Sequence, residues 1–289
     1  MILENEYLKL EIVSLGAELK SVYDKKMRKE ILYEGTSEYW NRSAPILFPI
    51  VGKLKDNSYS IEDEKFELPQ HGFARNMDFK VSKKTESEII LTLCFDEETL
   101  KVYPFNFELQ VLYILTKNEV ITKYKVINLD DKKIPFSIGA HPGFICPINE
   151  NEAFEDYYLE FEQEETLNRH LLNTENGLFN SKTELVLVNS TILKLDYSYF
   201  EKDAIVFRNM KSSWIKIKSS KSDYCLKFIF KNYPYFGIWT KSNAPFICLE
   251  PWHGIADSEN SSGSFIEKEG INLLEKNQNF ECEYSFEVN

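Results

Sequence analysis

Residues 107–127 read FELQVLYILTKNEVITKYKVI, with apolar and polar side chains alternating on both sides of a two-residue break at Lys117-Asn118. Successive side chains of an extended chain point to opposite faces, so this period of two marks half-buried strands. Phe107, Leu109, Val111, Tyr113 and Leu115 share one face, and 120–127 alternate again, which predicts a β-hairpin. Working outward, residues 89–95 place Ile89, Leu91, Leu93 and Phe95 on one face. Asn128-Leu129-Asp130-Asp131 reads as a turn into a short strand at 134–138. The second half repeats the style at 213–218, 224–230, 236–240, 246–250 and 280–288. Helical periodicity is weak, with at most a turn or two near 96–102 and 197–202, and Ser258–Ser264 reads as an exposed loop. No repeat or linker divides the chain. The expectation is an all-β protein, one large antiparallel β-sandwich domain over residues 1–289.

Composition narrows the function. The chain is 43% hydrophobic, enough for a large core, and 14% aromatic, which suits pleated surfaces and supplies rings on which sugars stack. Its net charge of −12, with no long Lys/Arg run, argues against a nucleic-acid partner. The N-terminal residues Met1 to Glu6 lack the basic and apolar regions of a signal peptide, and no apolar run approaches the ~18 residues of a membrane span. Five cysteines, far apart and without CxxC spacing, read as buried, reduced thiols. A cytoplasmic protein with no membrane association is expected.

Chemistry-bearing residues concentrate in a few segments. His71 lies in LPQHGFAR (68–75) and His141 in IGAHPGF (138–144), each flanked by Gly or Pro beside a strand, where loops present side chains to ligands. Read alone, either histidine fits a structural role equally well. Glu250 closes the apolar strand 246–250 ahead of Pro251-Trp252, a setting that desolvates a carboxylate and raises its basicity. A strand-end ion pair with an arginine is the bland alternative. Arg42 and Lys53 bracket the Pro-broken apolar run 44–51, and Asp203 opens the buried strand 204–207. His170 and His253 read as surface or supporting residues. His71, His141 and His253 could in principle form a metal site, but no pair of them has close spacing, so none is expected, and no P-loop, GxGxxG, GxSxG or HExxH occurs.

In these segments the chain resembles the galactose mutarotase-like aldose 1-epimerase family, particularly its shorter bacterial branch related to hexose-6-phosphate 1-epimerases. The blocks PILFPIVGKL (45–54), LPQHGFAR, IGAHPGF and ICLEPWHGIAD (247–257) carry the resemblance, in that order, with the early GAELKS (16–21). The resemblance implies a β-sandwich with a sugar in an open cleft. It implies Glu250, His141 and His71 as catalytic residues, and Asp203, Arg42, Lys53 and Arg75 as substrate-binding ones. Many relatives carry Arg where this chain has Lys53, and a point charge replaces a planar fork there. The implied activity is isomerisation: anomers of an aldohexose interconvert by ring opening and closure, with no cofactor. Glu250 as carboxylate takes the C1 hydroxyl proton and His141 as imidazolium protonates the ring oxygen.

Two other readings stand beside it. A glycosidase would set two carboxylates across the scissile bond, and only Glu250 and Asp203 are candidates. A non-catalytic carbohydrate-binding or sensor protein would not need a matched acid and base. A hexose 6-phosphate is the alternative substrate, since Arg42, Lys53 and Arg75 are three basic residues in candidate cleft segments. The small-molecule sugar is the one partner implied, with the chain a monomer or homodimer.

Overall fold

The structure, a computed structural model, describes residues 1–289. The hairpin forms between Phe107–Thr116 and Glu119–Asn128, in register from Phe107 opposite Asn128 to Thr116 opposite Glu119. Lys117 makes the reversal at φ +51°. Phe107, Leu109, Val111, Tyr113 and Leu115 all face the core and are buried.

Glu88–Cys94 and Asn279–Val288 flank the hairpin. From Asn279–Val288 a continuous path of paired strands runs through Cys225–Ile229, Trp214–Ser219, Tyr157–Leu172, Ile205–Arg208, Tyr235–Trp239 and Phe246–His253. It ends at Ile138–Ala140 and Ile46–Leu47, and Lys80–Lys84 closes the other edge. The path folds back on itself. Phe144, on the short strand Gly143–Ile145 beside Phe246–His253, meets Phe228 and Phe286 of the far half at 5.8 and 5.1 Å. Phe48 likewise reaches Phe107 at 5.2 Å. Two faces of one antiparallel sheet therefore bury each other, and the fold is a large β-sandwich. Burying one such ring fully contributes about 1.5–3 kcal/mol, so the aromatic contacts are a main source of cohesion.

Several elements depart from the sequence expectation. A separate four-stranded sheet, Ile2–Glu4, Leu8–Ile12, Leu19–Asp24 and Lys29–Glu30, covers part of the core. Tyr157–Leu172 and Phe179–Lys194 form a long hairpin. Its alternation is interrupted by register shifts after Glu160 and Glu165, which hides it from a period-two reading. The expected strand 134–138 is two: Ile134–Phe136 pairs with Asn272–Leu274, and Ile138–Ala140 enters the main sheet. The helical turns appear at Glu97–Val102 and Tyr197–Phe200. The cysteines are free, but only Cys146 and Cys248 are buried; Cys94 points outward and is exposed because it falls on the polar parity of its strand.

One buried ion pair fixes the segment after Phe246–His253. Lys268 Nζ donates to Asp257 Oδ1 at 2.8 Å and to the Ile255 carbonyl at 2.5 Å, with both side chains almost fully enclosed. Asp257 in turn accepts from the Lys55 N–H at 3.0 Å, and its own N–H donates to the Lys53 carbonyl at 2.9 Å. Residues 255–257 are thus stitched to 53–55. Lys268→Met leaves the Asp257 carboxylate buried without its cation, and stability measured by urea unfolding should fall by about 3–5 kcal/mol.

Candidate active site

Side-chain parity on Phe246–His253 builds the floor of a cleft. Ile247 and Leu249 enter the main core, while Cys248, Glu250 and Trp252 take the opposite face. Gly237 lies opposite Glu250 and Gly139 opposite Trp252 on the neighbouring strands. The Trp252 indole lies over both glycines: a Cβ on either would come within 2.6 Å of the ring. The cleft above it has a volume of about 320 Å³, within the ~300–1,000 Å³ usual for small-molecule sites.

His141 follows the strand Ile138–Ala140, and its Nε2 lies 3.3 Å from Glu250 Oε2. Its ring stacks on Trp40 at 4.6 Å and meets the edge of Trp239 at 5.6 Å. The pair is buried, with Glu250 1% and His141 8% exposed. Burial pushes the Glu250 carboxyl well above its ordinary value, and Asp203 adds to this. The buried Trp252 indole N–H, which has no hydrogen-bond partner, exerts a smaller opposing pull. Burial also pulls His141 down to about 3, with Arg75 contributing. Both shifts favour the neutral form of each group, so desolvation works against the carboxylate–imidazolium pairing expected from sequence.

His71 occupies a left-handed conformation at φ +67° and is tied to Gly52 twice. Its N–H donates to the Gly52 carbonyl at 2.8 Å, and its Nδ1 accepts from the Gly52 N–H at 3.1 Å. That bond leaves the proton of the neutral ring on Nε2, which lies 3.3 Å from the Gln70 side-chain amide in the cleft wall. Burial, then His141 and Arg75, hold His71 well below the ordinary histidine range, so it stays neutral. Its ring centroid lies 5.8 Å from that of His141.

Asp203, Lys53 and Arg75 also line the cleft. Asp203 is held at φ +69° with its Oδ1 accepting from the Ala204 N–H at 2.8 Å. Arg75 donates to the Gln70 carbonyl at 2.6 Å, while its buried Nε has no partner. Burial and the neighbouring Arg42 draw its pKa down to about 10. Lys53 packs its stem near Gly177, where a Cβ would lie 3.3 Å from Lys53 Cδ. Neither Lys53 nor Arg75 has a carboxylate within ion-pair distance.

Arg42 does not line the cleft, contrary to the sequence expectation. Its guanidinium lies 3.6 Å from Glu18, donates to the Arg75 carbonyl at 2.9 Å and bonds Asn76 Oδ1. Glu18 is 4% exposed and also accepts from the Ser43 and Ala44 N–H groups. A buried carboxylate needs a counter-charge, and Arg42 supplies it together with Lys20, whose Nζ lies 3.7 Å away. His170 and His253 also lie outside the cleft.

Sequence reading missed the aromatic walls: Trp40, Trp239, Trp252 and Phe179, with the polar Gln70. Three of the chain's four tryptophans meet here. Trp252 was detectable, since it sits two residues beyond Glu250 on the same strand face. The reading also missed a ligand cluster. One donor atom each from His141, Cys248 and Glu250 lies within 4.8 Å of the others, although His141 is far away in sequence.

The sandwich and its cleft define a carbohydrate isomerase. Residues 1–269 match the aldose 1-epimerase family, and the chain belongs to that family. The chromosomal LacX protein of Lactococcus lactis subsp. lactis is 38% identical over 264 residues, covering 89% of this chain and 88% of that protein. The galactose mutarotase related enzyme of Lactobacillus acidophilus superposes with a TM-score of 0.95 at 32% identity, over 100% of this chain and 97% of that one. A galactose mutarotase-like protein of Lactobacillus casei ATCC 334 gives 0.93 at 30% identity, over 100% and 99%. A putative aldose 1-epimerase of Escherichia coli K12 shares the fold at 16% identity, with a TM-score of 0.75 over 100% and 98%.

The loop that holds His71 depends on the next residue. Gly72 has φ +70°, and a Cβ there would overlap the Phe48 carbonyl. Gly263 has φ +82° and open space around it. Gly263→Ala should lose about 1–2 kcal/mol, the conformational cost alone. Gly72→Ala should lose at least about 1 kcal/mol more, because backbone must move, and urea unfolding of the two variants checks this.

Proposed function

We propose that the protein is an aldose 1-epimerase for an aldohexose, with Glu250 and His141 exchanging protons with the substrate and His71 fixing its position. The observation that carries the reading is the 3.3 Å contact between His141 Nε2 and Glu250 Oε2 at the base of a cleft walled by tryptophans. The rings suit the apolar C–H faces of a pyranose, and the polar groups between them suit its hydroxyls.

Anomer exchange needs a proton removed from the C1 hydroxyl and another delivered to the ring oxygen. A pair that holds one proton can do both, because each partner is the complement of the other. Sugar hydroxyls that donate to the Glu250 carboxylate favour its charged form, and the proton passes to His141. Glu250 then takes the C1 proton as His141 protonates the ring oxygen. The C1–O bond of the ring breaks and a C=O bond forms at C1. Rotation about C1–C2 presents the other carbonyl face, and the same two groups reverse roles on closure. His71 donates from Nε2 to the ring oxygen or an adjacent hydroxyl, while Asp203 binds hydroxyls as an acceptor. The protons come from the sugar and the two side chains, and the C–O bond cleaves without any change of oxidation state overall, so the chemistry calls for no cofactor.

A hexose 6-phosphate is the second reading, favoured by one observation: Lys53 and Arg75 line the cleft without carboxylate partners. Arg42, engaged by Glu18, does not add to that charge. The neutral sugar remains the first choice because Asp203 shares the cleft and opposes an anion there. Specificity constants for glucose, galactose and glucose 6-phosphate decide between them. A preference of about 100-fold or more for the phosphate, equal to about 2.7 kcal/mol of extra transition-state binding, establishes the second reading.

Glu250→Gln keeps the shape of the side chain but cannot accept a proton. Turnover followed by polarimetry on freshly dissolved α-sugar should fall about 10²–10⁴-fold, with little change in affinity. His141→Asn should fall similarly, and the double variant should lose far less than the product of the two, since the groups act as a unit. Retention of more than about a tenth of turnover by Glu250→Gln means that the base is another group.

The pH profile is a separate test. His141 titrates near about 3 and Glu250 well above its ordinary value, so the pair keeps a single proton between those limits. After subtraction of the uncatalysed rate, kcat/KM should not fall as the pH drops through about 6.5, where an ordinary histidine gains its proton. A fall centred there would show that His141 is solvated in the free protein.

A further inference from the structure

Strand parity places Cys248 and Glu250 side by side on one face of their strand, Glu250 lining the cleft and Cys248 buried beside it, and His141 completes a compact set of nitrogen, sulfur and oxygen donors within 4.8 Å of one another. We propose that this cluster is an inhibitory site for a borderline-soft divalent cation, with zinc as the best fit, and that occupancy silences the enzyme by sequestering its acid–base pair.

Zinc takes thiolate, imidazole and carboxylate ligands at about 2.0–2.3 Å in a tetrahedral array, often with three protein ligands and one open position. The observed spacing needs the donors to close by about 1 Å, within reach of side-chain rotation. The fourth position would face the cleft, where a water or sugar hydroxyl completes the sphere. Binding releases the Cys248 thiol proton and the single proton held by His141 and Glu250. The resulting carboxylate and thiolate balance the dication, so the buried site stays neutral, which a low-dielectric interior favours.

The nine-tenths-buried His141 leaves its Nδ1 without a hydrogen-bond partner, so no protein bond at that nitrogen opposes the small ring rotation that an ion would require. Gly143 lies opposite Cys248, and even a Cβ there would stand 3.4 Å from the sulfur. Magnesium and calcium prefer oxygen-only shells and are not expected to bind.

That occupancy inhibits rests on the function proposed above; that the site binds metal does not. The test therefore uses two readouts on the full-length protein, in a Cys94→Ser background that removes the exposed thiol. Co²⁺ serves as the optical probe. One equivalent should produce near-ultraviolet thiolate-to-cobalt charge-transfer absorption, abolished by Zn²⁺ and by Cys248→Ala and unaffected by Mg²⁺. In polarimetry Zn²⁺ should suppress turnover at least about tenfold, reversibly with a chelator, and Cys248→Ala should keep its basal rate while needing about tenfold or more zinc. Absent absorption, or absorption unchanged by Cys248→Ala, overturns the site. Should Cys248→Ala fail to fold, His141→Asn must weaken the cobalt absorption at least about tenfold, and an unchanged titration overturns it equally. Metal binding without inhibition in an active protein overturns the regulatory claim. Metal binding in a protein with no mutarotase activity leaves the site standing and removes only the function proposed above.

Discussion

The register of one strand governs this molecule. Along Phe246–His253, Ile247 and Leu249 are drawn into the main core, where both are fully buried. Parity then sends Glu250 and Trp252 to the cleft and Cys248 to the buried cluster beside it. A slip of one residue would exchange the two sets and drive a carboxylate into the hydrocarbon between the sheet halves. Trp252 makes that register harder to lose, because its ring occupies space left by Gly139 and Gly237 on the flanking strands. The depth of Glu250, and hence its raised basicity, follows from packing made for other reasons.

The charges around the cleft are arranged by the same logic of burial. Glu18 lies under the segment that leads from Trp40 toward the sheet, and its demand for a counter-charge removes Arg42 from the cleft. Arg42 in turn bonds the Arg75 carbonyl, so the clamp positions Arg75 at the wall while its own charge is spoken for. What remains facing the ligand is Lys53 and Arg75 against Asp203, with His71 neutral and fixed by Gly52. On a chain of net charge −12, two cations stand in the cleft without carboxylate partners.

The proposed acid–base pair and the proposed metal site are two uses of the same atoms. Groups that must trade protons with a sugar need lone pairs that are desolvated and unencumbered, and those properties also make good metal ligands. Cys248 is the residue that turns the pair into a three-donor set, and it is there because it shares the parity of Glu250. An apolar residue of similar size would pack against Gly143 and Trp40 equally well without offering a thiolate.

The sequence by itself determined the sandwich. Alternation at 107–127 and in the strands of the second half is a direct consequence of burying one face, and it survives without knowledge of partners. It also marked His71, His141 and Glu250 as unusual, since Gly and Pro punctuation and a carboxylate closing an apolar run are local signals. The N-terminal sheet and the bulged hairpin at 157–194 were not legible, because short strands and register shifts erase the period of two. Whether Arg42 faces ligand or Glu18 could not be read from a sequence separation of 24 residues, nor could the meeting of Trp40, Trp239 and Trp252. Only the tertiary structure decided how strongly Glu250 and His141 are desolvated, because that depends on water excluded by residues from eight separate segments of the chain. Local pattern records which side of a strand is buried; desolvation and charge pairing are set by what the rest of the chain brings to that side.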